Sequence, residues 1–215
     1  MRFFKSGYQT SNDIVKLLTS VKTGEHEIIP ATDRFNIFAY SIGAFLAEII
    51  MMGNPDNLLS ESKLFMLCGG SVFSNMQGSS KLIMDKAAFD KVYNYYLFEF
   101  ENTLTGKSPL IDFLSSSQIG LAFRSMIDLG RLRSFRENVL NKLKDQVHSI
   151  SLLKDTVIPC KGVISTLHTP ETVDIWDFPY PYMHENPFPV FNSPLSSKVD
   201  YWFEKVFAKA TLYVG

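Results

Sequence analysis

The sequence predicts an α/β fold: a mostly parallel sheet of four or five strands with helices on both faces. Apolar, β-favouring segments recur along the chain. Between them lie segments whose apolar residues have helical spacing. This alternation is typical of parallel sheets, because a parallel strand pair needs a crossover connection that is usually a helix. The four predicted strands cover residues 34–39, 63–68, 147–153 and 173–178.

The composition fits one soluble domain spanning residues 1–215. The hydrophobic fraction, 46%, is that of an ordinary globular domain. The 21 basic and 22 acidic residues nearly balance and do not cluster, so the chain lacks the basic surface that binds nucleic acid. No uninterrupted apolar run is long enough to span a bilayer, and residues 1–7 lack the apolar stretch of a signal peptide. These observations leave the compartment open.

The cysteines and glycines give no sign of a metal or cofactor site. The two cysteines, Cys68 and Cys160, are too few for a disulfide scaffold, and the sequence contains no Cys/His cluster with metal-ligand spacing. It also lacks a Gly-rich phosphate loop. We therefore predict no metal and no cofactor, and we interpret Cys68 as a core residue.

A predicted helix over residues 11–23 leads into the first strand, after which the chain turns at Ser41. A small residue follows two places later, and an apolar run with helical spacing continues from there. Such a strand–turn–helix crowds the positions two before and two after its apex, which here are Ala39 and Gly43. The turn exposes the serine oxygen and aims the backbone N–H of Ile42 at any oxyanion formed beside it. A tight turn with no catalytic role would have the same pattern.

The middle of the chain predicts helices between the second and third strands. Apolar residues with helical spacing cover residues 86–104, 109–129 and 132–146, and the first of these segments is rich in aromatics. An ordinary core explains most of these aromatic residues. The alternative is that some of them face an apolar cleft.

A carboxylate and a histidine follow the last two predicted strands. Asp155 comes directly after strand 147–153, and the carboxyl end of a parallel strand lies on the ligand side of the sheet. The alternative is that Asp155 only caps a predicted helix over residues 161–167. His184 lies after strand 173–178, in a loop that several prolines stiffen.

Two motifs resemble those of the α/β-hydrolase superfamily. The motif A-Y-S-I-G at residues 39–43 is similar to its nucleophile elbow, with alanine in place of the first glycine, and D-T-V-I-P at residues 155–159 is similar to its acid loop. The resemblance covers the C-terminal half of that fold, from the elbow onward. It implies that Ser41 is the nucleophile, Asp155 the acid and His184 the base, in the superfamily's chain order. The other histidines do not fit that order: His26, His148 and His168.

The resemblance predicts a serine hydrolase that cleaves a small-molecule acyl substrate (an ester, amide or thioester), with residues 75–146 inserted as a helical cap or lid. This sequence has no counterpart of the strands that precede the elbow in the superfamily. It also has no counterpart of the loop that supplies a second oxyanion donor. We therefore expect a fragment or a truncated member. Because one oxyanion donor is worth roughly 10²–10³ in rate, we expect weak activity or none. The alternative is a non-catalytic, hydrolase-like protein that binds a ligand or a partner.

The missing strands would leave strand 34–39 at an edge of the sheet. This strand is nearly all apolar and carries one charge, at Arg34, so it lacks the usual protection against edge pairing. We therefore expect a homodimer or a higher oligomer. The alternative is that residues 1–7 fold back and cover the edge with a short strand formed by Arg2, Phe3 and Phe4.

Overall fold

The computed structural model describes residues 2–32, 34–168, 170–190 and 194–215. Within these ranges four strands form one sheet: β1 (Ile37–Tyr40), β2 (Leu64–Leu67), β3 (Val147–Leu152) and β4 (Val173–Trp176). The α-helices in the same ranges are α1 (Arg2–Lys22), α2 (Ile42–Gly53), α3 (Lys86–Asn94), α4 (Pro109–Ser116), α5 (Gln118–Ser125), α6 (Arg133–Lys142), α7 (Cys160–Leu167) and α8 (Ser196–Val214). The predicted α/β class and the parallel sheet are confirmed.

The sheet has the order β1-β2-β3-β4, and all three strand pairs are parallel. Ala39 of β1 lies opposite Met66, and Leu67 of β2 lies opposite Ile150. The strands β2 and β3 are buried along their whole length, whereas β1 and β4 are partly exposed. Because every strand runs the same way, the segments that follow the four strands meet at one end of the sheet.

The helices cover both faces of the sheet, as predicted. Leu64 and Met66 point into a large core cluster that α2, α5 and α7 complete. Phe65 and Leu67 point the other way, into a second cluster that includes three residues of α8: Val199, Val206 and Ala210. Sequence reasoning assigned no element to α8. No helix in the described ranges is both long enough and apolar enough to cross a membrane.

The first helix is longer than predicted, and this decides between two expectations. The predicted helix over 11–23 is the second half of α1, which begins at Arg2. Phe4 is buried, and its ring packs against that of Phe123, with centroids 4.6 Å apart. Because this contact draws the N-terminal segment into the helical core, the expectation of a covering strand at Arg2–Phe4 is wrong.

Polar caps start three of the four described α-helices of the middle segment. The side chains of Asp85, Ser108 and Ser117 each accept a hydrogen bond from a backbone N–H three residues later, which satisfies a free donor at the start of α3, α4 and α5. A π-helical turn, Tyr95–Glu99, continues α3. Tyr96, Phe100 and Phe123 are buried in the core, as the simpler interpretation of the aromatic residues predicts. The role of residues 75–146 as a cap stays a prediction.

Candidate active site

Ser41 lies at the tip of the turn between β1 and α2. Its backbone has φ 54° and ψ −126°, a conformation that residues other than glycine rarely adopt. The Ser41 N–H donates to the Leu67 carbonyl at 3.3 Å, and the Ser41 carbonyl accepts from Ala44 N–H at 3.0 Å. Strained residues of this kind persist only where the surrounding structure holds them, and they concentrate at functional sites.

The small residues near this turn do not all have the predicted role. A Cβ added to Gly43 would meet no atom within 4 Å, so the expectation that this position is crowded is wrong. Gly43 faces open space because the first turn of α2 borders a cavity. The crowded position is Gly69, after β2, where an added Cβ would collide with the Cβ of Ala44. Gly69 therefore lets two backbone segments approach beside Ser41.

The structure brings His184 against Ser41. The distance from Ser41 Oγ to His184 Nε2 is 2.5 Å, and the His184 side chain is almost completely buried. A tight turn presents this histidine: Met183 and Asn186 exchange backbone hydrogen bonds of 3.4 and 3.1 Å across it. The predicted neighbours, which are 143 positions apart in sequence, are thus in hydrogen-bond contact.

Asp155 lies behind His184. Its Oδ2 is 2.7 Å from His184 Nδ1, and its side chain is 0% exposed. Its Oδ1 accepts hydrogen bonds from the backbone N–H groups of Val157 and Ile158, both at 2.8 Å. The N–H groups of Val157 and Ile158 belong to the turn before α7. The N-cap residue of α7 is Pro159, and no side chain caps this helix. The interpretation of Asp155 as a cap of that helix is therefore wrong, since the carboxylate orders the preceding turn instead.

For an ionised Asp155 and a neutral His184, these contacts define one proton arrangement. An ionised carboxylate only accepts, so His184 donates from Nδ1–H to Asp155. The neutral ring then has its lone pair on Nε2, where it accepts from the Ser41 hydroxyl. The Ser41 oxygen is thus placed to give up a proton.

Cys68 is a further residue of this site. It directly follows β2, is completely buried and has φ 52°. Burial, and next the nearby Asp155 carboxylate that its thiol hydrogen-bonds, raise the pKa of Cys68 well above its ordinary value. The thiol therefore stays protonated and donates to the carboxylate.

Cys68, Asp155 and His184 are also the residues that could hold a metal ion in the described part of the chain. One potential ligand atom from each lies within 4.8 Å of the others. Metal binding would need a deprotonated thiol and a free imidazole nitrogen. Here the thiol is neutral, and the nitrogen that faces Asp155 is engaged in a hydrogen bond. The geometry is that of a hydrogen-bonded chain, and the absence of a metal stays a prediction.

The backbone of α2 supplies a donor beside Ser41. Ile42 is the first residue of the helix, and the first N–H groups of a helix have no acceptor within it. The helix dipole adds a partial positive charge at this end. The N–H of Ile42 can therefore stabilise negative charge next to Ser41.

Sequence reasoning missed two residues of this site. The prediction that Cys68 is a core residue is confirmed, but its position beside Asp155 was missed, and Tyr40 was given no role, although its ring stacks on His184. A signal was present for both, because Tyr40 ends β1 and Cys68 directly follows β2. In a parallel sheet these positions lie at the same end as Ser41.

Comparison with known proteins gives three findings. A model described as a family of unknown function (DUF6051) matches residues 1–215. No curated protein matches the sequence. Among solved structures, an esterase from Exiguobacterium antarcticum is similar, with 15% sequence identity and a TM-score of 0.46 over 95% of this chain and 74% of the esterase chain. A similarity at this level assigns no activity.

Proposed function

The chain belongs to the family DUF6051, and we propose that it is a serine hydrolase that cleaves an ester, an amide or a thioester. The observation that carries the proposal is the unbroken hydrogen-bonded series from Ser41 through His184 to Asp155, with distances of 2.5 and 2.7 Å. A nucleophile, a base within reach of it, and a third group that orients the base form the general pattern of nucleophilic acyl transfer.

The first step forms a bond between Ser41 Oγ and the carbonyl carbon of the substrate. His184 Nε2 takes the hydroxyl proton as this bond forms, and the electron pair of the carbonyl moves to its oxygen. The imidazolium that results is stabilised by the Asp155 carboxylate. The two backbone N–H groups on Asp155 Oδ1 hold that carboxylate in place.

The negative carbonyl oxygen is stabilised by the N–H of Ile42 at the start of α2. When the intermediate collapses, the bond to the leaving group breaks, and His184 returns the proton to the leaving alcohol, amine or thiol. Water then attacks the acyl-enzyme and gives its proton to His184. The second collapse releases the carboxylic acid and restores Ser41.

Hydrolysis of a small activated ester such as p-nitrophenyl acetate tests the proposal. We expect turnover below the common enzyme value of about 10 s⁻¹, because only one oxyanion donor is identified. The activity should disappear in Ser41→Ala and persist in Ser116→Ala, a matched change at an exposed serine of α4.

Activity that survives in Ser41→Ala would contradict the proposal. A folded wild-type chain with no turnover on any ester would favour the alternative, a non-catalytic ligand-binding protein. Turnover near 10 s⁻¹ that depends on Ser41 would instead indicate that another segment supplies the second donor.

A further inference from the structure

A cavity of about 260 Å³ lies between α1, α2 and α5. It reaches the first turn of α2, where Ile42 and Gly43, the two residues after Ser41, form part of its wall. Most of the remaining wall is apolar, with side chains from all three helices: Phe4, Leu46, Ile49 and Phe123. One end of an apolar cavity thus adjoins the backbone that would hold the oxyanion.

Two glycines leave this cavity open. A Cβ added to Gly43 would meet no atom within 4 Å. A Cβ added to Gly7, on the α1 side, would reach only Leu46 Cδ1, at 4.0 Å. Larger side chains at either position would extend into the empty volume, so both residues contribute to its size.

The cavity and His184 contact residues that pack on opposite faces of the sheet. The cavity residues Phe45 and Ile49 belong to the core cluster on the α2 face. His184 stacks on Tyr40, which packs into the cluster on the α8 face. A leaving group must lie on the side of His184, because that residue protonates it. The acyl part of a substrate bound at Ser41 would then extend toward the cavity.

We propose that the cavity binds the acyl chain of the substrate, and that the substrate is an ester or thioester of an unbranched, apolar acid of medium length. This inference rests on the proposed serine hydrolase function. One water occupies roughly 30 Å³ in the liquid, and we take the same volume for one methylene group. A cavity of 260 Å³ then accommodates up to about eight or nine carbons. The carbonyl lies at the start of α2 and the chain runs along that helix.

A series of p-nitrophenyl esters from acetate to dodecanoate tests the inference. Burial of each methylene should raise kcat/KM roughly fourfold, up to a chain of about eight carbons. Longer chains should lose this gain, because the cavity is full. Equal kcat/KM values across the series would overturn the inference and leave the serine hydrolase proposal standing.

Two variants of opposite effect and one control locate the chain. Gly7→Leu, which fills the cavity, should reduce the octanoate-to-acetate ratio of kcat/KM at least tenfold. Leu46→Ala, which enlarges it, should move the optimum to longer chains. Leu17→Ala alters an exposed apolar residue of α1 outside the cavity and should leave the ratio unchanged. Ratios that respond equally to all three changes would overturn the inference, and circular dichroism establishes that each variant is folded.

A binding measurement separates this inference from the proposed function. Titration calorimetry with sodium octanoate on Ser41→Ala should detect binding that Gly7→Leu in the same background abolishes, since the carboxylate can lie at the start of α2. Such binding, together with no turnover on any ester by the wild type, would overturn the hydrolase proposal but keep the cavity as an acyl site. No octanoate binding and no chain-length preference would overturn the inference.

Discussion

The ring of Tyr40 stacks on the imidazole of His184, with the ring centroids 5.6 Å apart and the planes inclined by 20°. Tyr40 ends β1 and directly precedes Ser41, so one strand end carries both the hydroxyl that His184 contacts and the ring that supports it. In the proposed mechanism, the aromatic face would also stabilise the imidazolium that forms when His184 takes the proton.

Substitution of Tyr40 separates the ring from its hydroxyl. The hydroxyl is buried and has no hydrogen-bond partner in the described ranges, so Tyr40→Phe removes a polar group and keeps the stacking. We expect Tyr40→Phe to change kcat by no more than about twofold and Tyr40→Ala to lower it roughly tenfold, which matches a contact of 1–2 kcal/mol. Steady-state kinetics on p-nitrophenyl esters measures both. Equal losses in the two variants would show that the hydroxyl, and not the ring, supports His184.

Substitution of Asp155 tests the orientation of His184. In Asp155→Asn the side-chain oxygen can still accept from Val157 and Ile158, but an amide beside Nδ1 no longer imposes the required tautomer. We expect kcat to fall by roughly 10⁴. Asp112→Asn is the control, because Asp112 is an exposed residue of α4. A loss of less than tenfold in Asp155→Asn would exclude Asp155 as the orienting acid.

The burial of Glu48 makes the free energy of unfolding depend on pH. Glu48 is 0% exposed in the middle of α2, and neither carboxylate oxygen has a hydrogen-bond partner within the described part of the chain. Burial raises the pKa of Glu48 from 4.5 to about 8, and the charge of Arg136 only partly opposes this. Between these two values the folded protein holds a proton that the unfolded chain has released, so the free energy of unfolding falls as pH rises from about 4.5 to 8.

We therefore expect Glu48→Gln to have a flatter stability profile and to be more stable than the wild type above about pH 8. Urea denaturation from pH 5 to pH 9 measures this. Glu61→Gln, at an exposed position, should follow the wild type. A Glu48→Gln profile parallel to that of the wild type would contradict the assignment.

The exposed edge of the sheet predicts a homodimer. β1 is an outer strand of the described sheet, and Phe38 on it stacks on Phe207 of α8, with centroids 4.8 Å apart. Both residues remain more than one third exposed, at 40% and 37%. We propose that two copies associate through this edge and these rings. Light scattering at micromolar concentration should show a dimer, and Phe38→Lys should dissociate it. Leu212→Lys, at another exposed site, should leave the dimer intact. A monomeric wild type would contradict the proposal.

The arrangement of the site was predictable because each of its central residues follows a strong strand signal. Ser41, Asp155 and His184 come after three β-favouring segments, and parallel strands necessarily bring the following segments together. The position of Cys68 at the site was predictable from the end of β2, but its contact with Asp155 was not, since the contact also depends on the pairing of β2 with β3 and on a positive φ. Gly43 was misassigned because its surroundings depend on α1 and α5, which are distant in sequence.

The helix α8 was missed for a different reason. Its buried face contains Val199 and Val206, but large apolar residues also lie on its outer face, among them Tyr201 and Phe203. The helix therefore lacks the one-sided apolar pattern that identifies an amphipathic helix. Of these two, Phe203 contacts Phe207, which stacks on Phe38 of β1.

The central claim is that Ser41 is a nucleophile that His184 activates, and labelling with a fluorophosphonate probe tests it most directly. Peptide mass spectrometry after labelling should place the adduct on Ser41 in the wild type and in Ser116→Ala. It should find none in Ser41→Ala and a strongly slowed reaction in His184→Ala. An adduct on another serine, or equal labelling of the wild type and Ser41→Ala, would contradict the claim.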